Sequence, residues 1–244
     1  RASAAGAKVP APKDLRDALA RANLFAERQQ NADVVALLSP RIPEKDFGEA
    51  ACEARLLLGK TYRKLRKLQS AKRTLDVVAS KCGDDTKKRA AYLGARVAWL
   101  SKNAQATSML QAFVDAWPND ALTDDVLLWL GEAHAQKRDA KKADAAWRKV
   151  VDEFSDGDMI HEARFHLAWS RAQQGDVAGA RAILDEAARN AGARVDVSDR
   201  ALYWRARLAL YPKLDAFSPS SDGKLVDEGK TERVALANAR PASW

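Results

Sequence analysis

Three histidines, two cysteines and one dense block of lysines and arginines are the residues whose types and spacing could do chemistry here. His161 and His166 are five apart and so do not share a helix face, while His134 is remote in sequence. No His-Glu-x-x-His run or paired-cysteine spacing accompanies them, so no metal site is indicated. Phosphate-cradling glycine patterns and the Gly-x-Ser-x-Gly elbow are absent, which leaves no cofactor and no nucleophile to assign. Carboxylates are plentiful, as in Asp84-Asp85 and Asp124-Asp125, but they fall at expected helix starts, where they cap backbone amides and complement the helix dipole. No catalytic residue follows.

The basic block is more informative. From Arg55 to Arg89 there are twelve Lys/Arg against three acids, Asp76, Asp84 and Asp85, an excess larger than the whole chain's +8. Lys60, Arg63, Lys64 and Lys67 follow i, i+3, i+4, i+7 spacing opposite Leu58, Tyr62 and Leu65. They form one stripe, read either as an anion- or glycan-binding ridge or as a solvated helix face. Nucleic acid is disfavoured, because no helix-turn-helix, zinc-finger or RNA-recognition pattern accompanies the charge and aromatic residues do not interleave with it.

Those side chains must be positioned by helices. Glycine and proline are sparse in the 244 residues, hydrophobic residues make up 47%, and no apolar run is long enough to span a membrane. A small residue follows a leucine in Leu58-Gly59, Leu93-Gly94, Leu130-Gly131 and Leu167-Ala168, at spacings of 35, 37 and 37. Twelve residues after each comes Ala71, Ala106, Ala143 or Ala180, and four further on Leu75, Leu110, Trp147 or Leu184. This grammar resembles the tetratricopeptide repeat, in which small residues on one helix let its partner approach and large ones fill the groove. Tyr62, Gly175 and Pro118 agree with that pattern; Arg66 and Arg138 stand where a turn glycine is usual, and Val97, His134 and Arg171 replace the tyrosine.

The expected fold is therefore all-α, a tetratricopeptide-like helical-hairpin superhelix. Helix pairs are predicted near 48–67 with 70–81, 85–101 with 104–117, 121–137 with 140–154, and 158–174 with 177–190. Around them we expect a tail at 1–13, a divergent first hairpin at 14–47, four hairpins across 48–198, and an irregular last repeat at 199–217. A loop at 218–230 and the start of a truncated helical segment at 231–244 complete the division. The Ala/Pro/Lys-rich leader beginning at Arg1 suggests a processed or trimmed chain.

Within this scheme Cys52 lies near the start of one helix and Cys82 at the end of its antiparallel partner, so both come to the same end of a hairpin. They read as a disulfide, which would persist only in an oxidising compartment, or as two small buried hydrophobes. Trp99, Trp129, Trp147 and Trp169 occupy positions that repeat packing should bury. Tyr203, Trp204 and Arg205 lie where the array loses its next partner, and are either a packing plug or a sugar-stacking surface.

The second half, roughly 85–244, resembles the superhelical, non-catalytic region of soluble lytic murein transglycosylases. The resemblance is carried by Ala163-Arg164-Phe165-His166-Leu167-Ala168-Trp169 with Gln174-Gly175-Asp176. It continues in Ala201-Leu202-Tyr203-Trp204-Arg205-Ala206-Arg207 and Arg240-Pro241-Ala242-Ser243-Trp244. Ala206 replaces that family's glycine, and its catalytic Glu-Ser dipeptide occurs nowhere in the sequence. The resemblance implies a periplasmic scaffold, without catalytic residues of its own, that guides peptidoglycan strands. The alternative is an exported tetratricopeptide adaptor whose partner is an envelope protein.

Overall fold

The computed structural model describes residues 10–213 and 220–239. Residues 1–9, most of the expected tail, lie outside that range, as does the Arg240 to Trp244 segment. Among the described residues every regular element is an α-helix: α1 (Leu15–Glu27), α2 (Asn31–Leu38), α3 (Glu49–Lys64), α4 (Leu68–Lys81), α5 (Asp84–Leu100), α6 (Ala106–Ala116), α7 (Thr123–Gln136), α8 (Ala140–Glu153), α9 (Ile160–Gln173), α10 (Val177–Arg189), α11 (Val195–Leu210) and α12 (Gly223–Ala239). The chain divides into two compact units that meet at Phe113 and Val114. In the first, α3 packs on α4 and on α5; in the second, the pairs α7/α8, α9/α10 and α11/α12 stack in succession. The class is a helical solenoid.

Five of the hairpins, α1/α2 through α9/α10, turn in the same way. Gln29, Arg66, Lys102, Arg138 and Gly175 all adopt the left-handed backbone region, with φ of 58°, 60°, 52°, 61° and 82°. The amide of the following residue donates five positions back: Gln30 to Phe25, Lys67 to Tyr62, Asn103 to Ala98, Asp139 to His134, and Asp176 to Arg171. The left-handed residue's own amide donates three back, from Gln29 to Ala26 through to Gly175 to Ala172. These are the two bonds of a Schellman cap, which satisfy carbonyls the ending helix would otherwise leave open. Arg66 and Arg138, the departures from the turn glycine, thus keep its conformation. The next helix starts on a carboxylate where one is available, since Asp139 accepts from the Lys142 amide and Asp176 from the Gly179 amide.

The small residues inside the first helices explain the hairpin spacing. A Cβ on Gly59 would lie 2.7 Å from the Leu75 side chain, and one on Gly131 would fall on the Trp147 indole. Both partners stand sixteen residues on in sequence, so the repeat grammar describes a direct contact. Gly94 departs from it: a Cβ there would meet Met109 Cε at 3.6 Å and Leu75 Cβ at 3.9 Å, ordinary van der Waals distances.

Two sequence expectations need correction. The end of the chain is more regular than the division into an irregular repeat at 199–217, a loop at 218–230 and a truncated segment at 231–244. In place of that loop, α12 starts at Gly223, with Asp222 accepting from the Leu225 amide at 3.2 Å. Gly229 lets α12 settle against Ala209 and the Ala206 carbonyl, while Arg181 holds Glu228 at 3.2 Å and Glu232 at 2.9 Å. Of the four tryptophans expected to be core, Trp129 and Trp147 are buried; Trp99 and Trp169 are only half-buried.

Cys52 and Cys82 form a disulfide, with α-carbons 5.9 Å apart. Nearby, Arg55 is buried beneath the 39–48 connection, donating to the carbonyls of Pro43, Glu44 and Asp46 and lying over the Phe47 ring.

Glycine substitution separates the steric demands from the conformational ones. Gly131→Ala should destabilise the fold by about 1–3 kcal/mol through overpacking against a rigid ring. Gly94→Ala should be neutral or stabilise by up to about 1 kcal/mol, since a helical glycine without a close neighbour carries only its entropic cost. Urea unfolding of the two variants tests the difference; equal effects would refute the assignment of Gly131 to Trp147.

Candidate functional site

The second unit holds an open cleft of about 620 Å³ among α7, α8 and α9, lined in part by Glu132, Gln136, Trp147, His166, Trp169 and Gln173. Its floor is made by the glycine contact just described. With no side chain at Gly131, the Trp147 ring sits deep and its indole N–H donates to the Leu128 carbonyl at 3.2 Å. His166 stacks on this ring, with centroids 4.8 Å apart and planes 12° from parallel.

Around the floor run polar links between successive first helices. His166 Nε2 lies 3.2 Å from Glu132 of α7 and 3.9 Å from Glu162 one turn back on α9. Glu162 in turn accepts from Arg200 of α11 at 2.8 Å, and that guanidinium lies 4.4 Å over the Phe165 ring. Trp169 closes one side and meets Trp204 edge-on at 4.9 Å. The cleft therefore offers an aromatic floor, the Glu132 carboxylate and amide groups, a combination suited to gripping side chains of an extended ligand. Among the described residues no group of three or more His, Cys, Asp or Glu is placed to hold a metal ion. Burial lowers the proton affinity of His134 and His161, and neither lines the cleft.

The sequence-derived candidates fall into separate places. In the first unit Lys60, Lys64 and Lys67 are exposed and Arg63 is half-buried. Lys60 and Lys64 border a cleft of about 350 Å³ with Asn23 and Gln29, and Lys64 Nζ donates to Gln29 Oε1 at 3.2 Å. In the second unit Tyr203 is exposed, whereas Trp204 packs against Phe165 and Trp169. Arg205 pairs with Asp185 and, at 3.3 Å, with Glu232, an arrangement that ties α11 to α10 and α12.

Sequence reasoning missed Glu132, Gln136 and Gln173, and treated Trp169 as core. A signal was present. Glu132 and Trp169 each follow the small residue of their repeat, and Gln136 and Gln173 stand four further on, one turn apart on the same helix face. Lys60 and Lys64 occupy the equivalent positions in the basic hairpin.

The register that brings Glu132 to His166 depends on a buried carboxylate. Asp124, 2% exposed at the start of α7, accepts from the backbone amides of Asp125 and Met159, so it ties α7 to the entry of α9. Burial raises its pKa above the ordinary carboxylate value, ahead of the opposing hydrogen bonds. An acid with a raised folded pKa binds more protons folded than unfolded. Stability is therefore lost as pH climbs from its unfolded to its folded pKa. Asp124→Asn should flatten that loss while keeping an acceptor, whereas Asp124→Ala should cost about 1–3 kcal/mol by stranding the amides. Denaturant titrations between pH 4 and 8 test this; a wild-type slope unchanged in Asp124→Asn would refute it.

A family profile for the tetratricopeptide repeat matches this chain over residues 53–84, 125–157 and 162–191. Six solved chains also match. Among them is the C-terminal part of a TPR repeat-containing protein from Cytophaga hutchinsonii, which is 15% identical over 90% of this chain and 95% of that one, with a TM-score of 0.43. No curated protein matches. The chain thus contains a tetratricopeptide-like helical region, and its cleft lies between the two repeats matched in the second unit.

Proposed function

We propose that this chain is a non-catalytic adaptor that holds an extended segment of a partner protein in the α7/α8/α9 cleft. The observation that carries the reading is the convergence of Glu132, Gln136, Trp169 and Gln173, at equivalent repeat positions, on one open aromatic-floored cleft. Tetratricopeptide repeats supply the scaffold for such a role, since stacked hairpins present a continuous face to an extended ligand. The glycan-guiding reading rests on sequence resemblance, and the matches to known proteins add nothing to it. An exported setting belongs to the proposal as well: the Cys52–Cys82 bridge would persist in an oxidising compartment.

Peptides selected from a random display library against the whole chain provide the test. We expect them to lose at least tenfold in affinity for Trp169→Ala and for the Gln136→Ala/Gln173→Ala double variant, with helical content retained. Undiminished binding by both variants would place the ligand elsewhere. Sedimentation with insoluble peptidoglycan sacculi, persisting when selected peptide saturates the cleft, would instead favour the glycan reading.

A further inference from the structure

The two halves of the chain differ in charge. Up to residue 113, where the first unit ends, 22 Lys/Arg stand against 11 Asp/Glu, whereas from residue 114 on 19 Lys/Arg stand against 22 Asp/Glu. The α7/α8/α9 cleft lies in the acidic half. That balance draws cationic segments towards the second unit, and its ion pairs single out where one would be held.

Carboxylates that face a neighbouring helix in this unit meet guanidinium groups: Glu162 meets Arg200 at 2.8 Å, Glu186 meets Arg164 at 3.3 Å, and Glu228 and Glu232 meet Arg181. Glu132 does not. Among the described residues it has no lysine or arginine partner; it faces His166 Nε2 at 3.2 Å, and its side chain is still 25% exposed where it lines the cleft. A neutral imidazole donates a hydrogen bond without cancelling the charge, and the carboxylate keeps further acceptor sites. The surroundings suit a cation. The Trp169 indole beside the carboxylate adds an aromatic face, to which a cation is drawn electrostatically. Gln136 and Gln173, whose side-chain amides have no hydrogen-bond partner among the described residues, add two carbonyl acceptors. Arg138 also borders the cleft, but it stands in the exposed α7/α8 turn, beyond the end of α7.

His166 sets up a competition for Glu132. The charged groups around it are Glu132 from α7, Glu162 on its own helix and, through Glu162, Arg200 from α11. Arg138 comes from the α7/α8 turn, α8 presents the uncharged Trp147 ring, and no residue of α10 lines the cleft. Imidazole is the side chain that changes charge between pH 5 and 8. Once protonated, it supplies the cation that Glu132 otherwise lacks and repels a second one in the same space.

We propose that the side chain the cleft takes from its partner is basic, a lysine or arginine set between Glu132 and Trp169, and that protonation of His166 competes with it. The inference rests on the adaptor reading and names the chemistry of its occupant.

Fluorescein-labelled hexaarginine and hexacitrulline, which keeps the shape without the charge, are titrated against the whole chain at 150 mM salt and at pH 7.5 and 5.5. Hexaarginine should bind at pH 7.5, and hexacitrulline at least about tenfold more weakly. Glu132→Gln, which keeps an acceptor for His166, should weaken hexaarginine at least about tenfold, whereas Glu153→Gln, at the exposed end of α8, should change it less than about twofold. Lowering the pH to 5.5 should weaken hexaarginine at least about fivefold in the wild type and leave His166→Gln nearly unchanged. No binding of hexaarginine, equal binding of hexacitrulline, or equal effects of Glu132→Gln and Glu153→Gln would overturn the basic occupant. A pH dependence that is absent from the wild type or undiminished in His166→Gln would overturn the competition. Selected peptides that depend on Trp169 while hexaarginine fails to bind would sink this inference and leave the adaptor reading standing; selected peptides insensitive to Trp169→Ala would remove the adaptor reading itself.

Discussion

The second unit depends on how closely α8 can approach α7. That distance is set by one contact, the Trp147 indole lying where a side chain on Gly131 would be. A larger residue would lift the ring, break its hydrogen bond to Leu128, and remove the surface on which His166 stacks. The cleft is thus a by-product of hairpin packing, and its polar rim is arranged on a floor that belongs to the core. The first unit uses the same device in a plainer form, with Leu75 over Gly59.

The turns impose a second constraint of equal regularity. Left-handed residues recur at 29, 66, 102, 138 and 175, at spacings of 37, 36, 36 and 37, although only the last is glycine. A side chain in this conformation costs about 1–2 kcal/mol, so at four of five turns the Schellman hydrogen bonds and the packing of the following helix must over-determine the backbone. Repetition of the hairpin is thereby preserved while the sequence drifts.

Much of this fold was legible because its determinants are local. The Leu-Gly and Leu-Ala pairs, with alanine twelve residues on, fixed the hairpins to within a few residues; Gly175 and Pro118 marked boundaries by their backbone chemistry. Arg66 and Arg138 were recognisable as turn positions only through the repeat, and Gln29 and Lys102 carried no such mark. The end of the chain was misread because polar residues around 220–230 look like a loop until α11 supplies a surface for Gly229 and Arg181 supplies partners for Glu228 and Glu232. The cleft was hidden for a related reason. His166 was weighed against His161 along the chain, whereas its partner is Glu132, thirty-four residues earlier on a neighbouring helix. Trp169 looked like core because hydrophobicity does not reveal which side of a helix is left without a neighbour.

The disulfide has a consequence for how the molecule comes apart. It closes a segment with a sequence separation of 30, entirely within the α3/α4 hairpin, and in the chain-entropy account such a loop contributes about 3–4 kcal/mol. In a stack where each hairpin is coupled chiefly to its neighbours, that contribution stays local. The α3/α4 hairpin becomes the last part of its unit to open, and the helices flanking it open first. Reduction would change the order of events as well as the total stability: protease cuts confined to the flanks under oxidising conditions would spread into α3 and α4 once the bridge is cut.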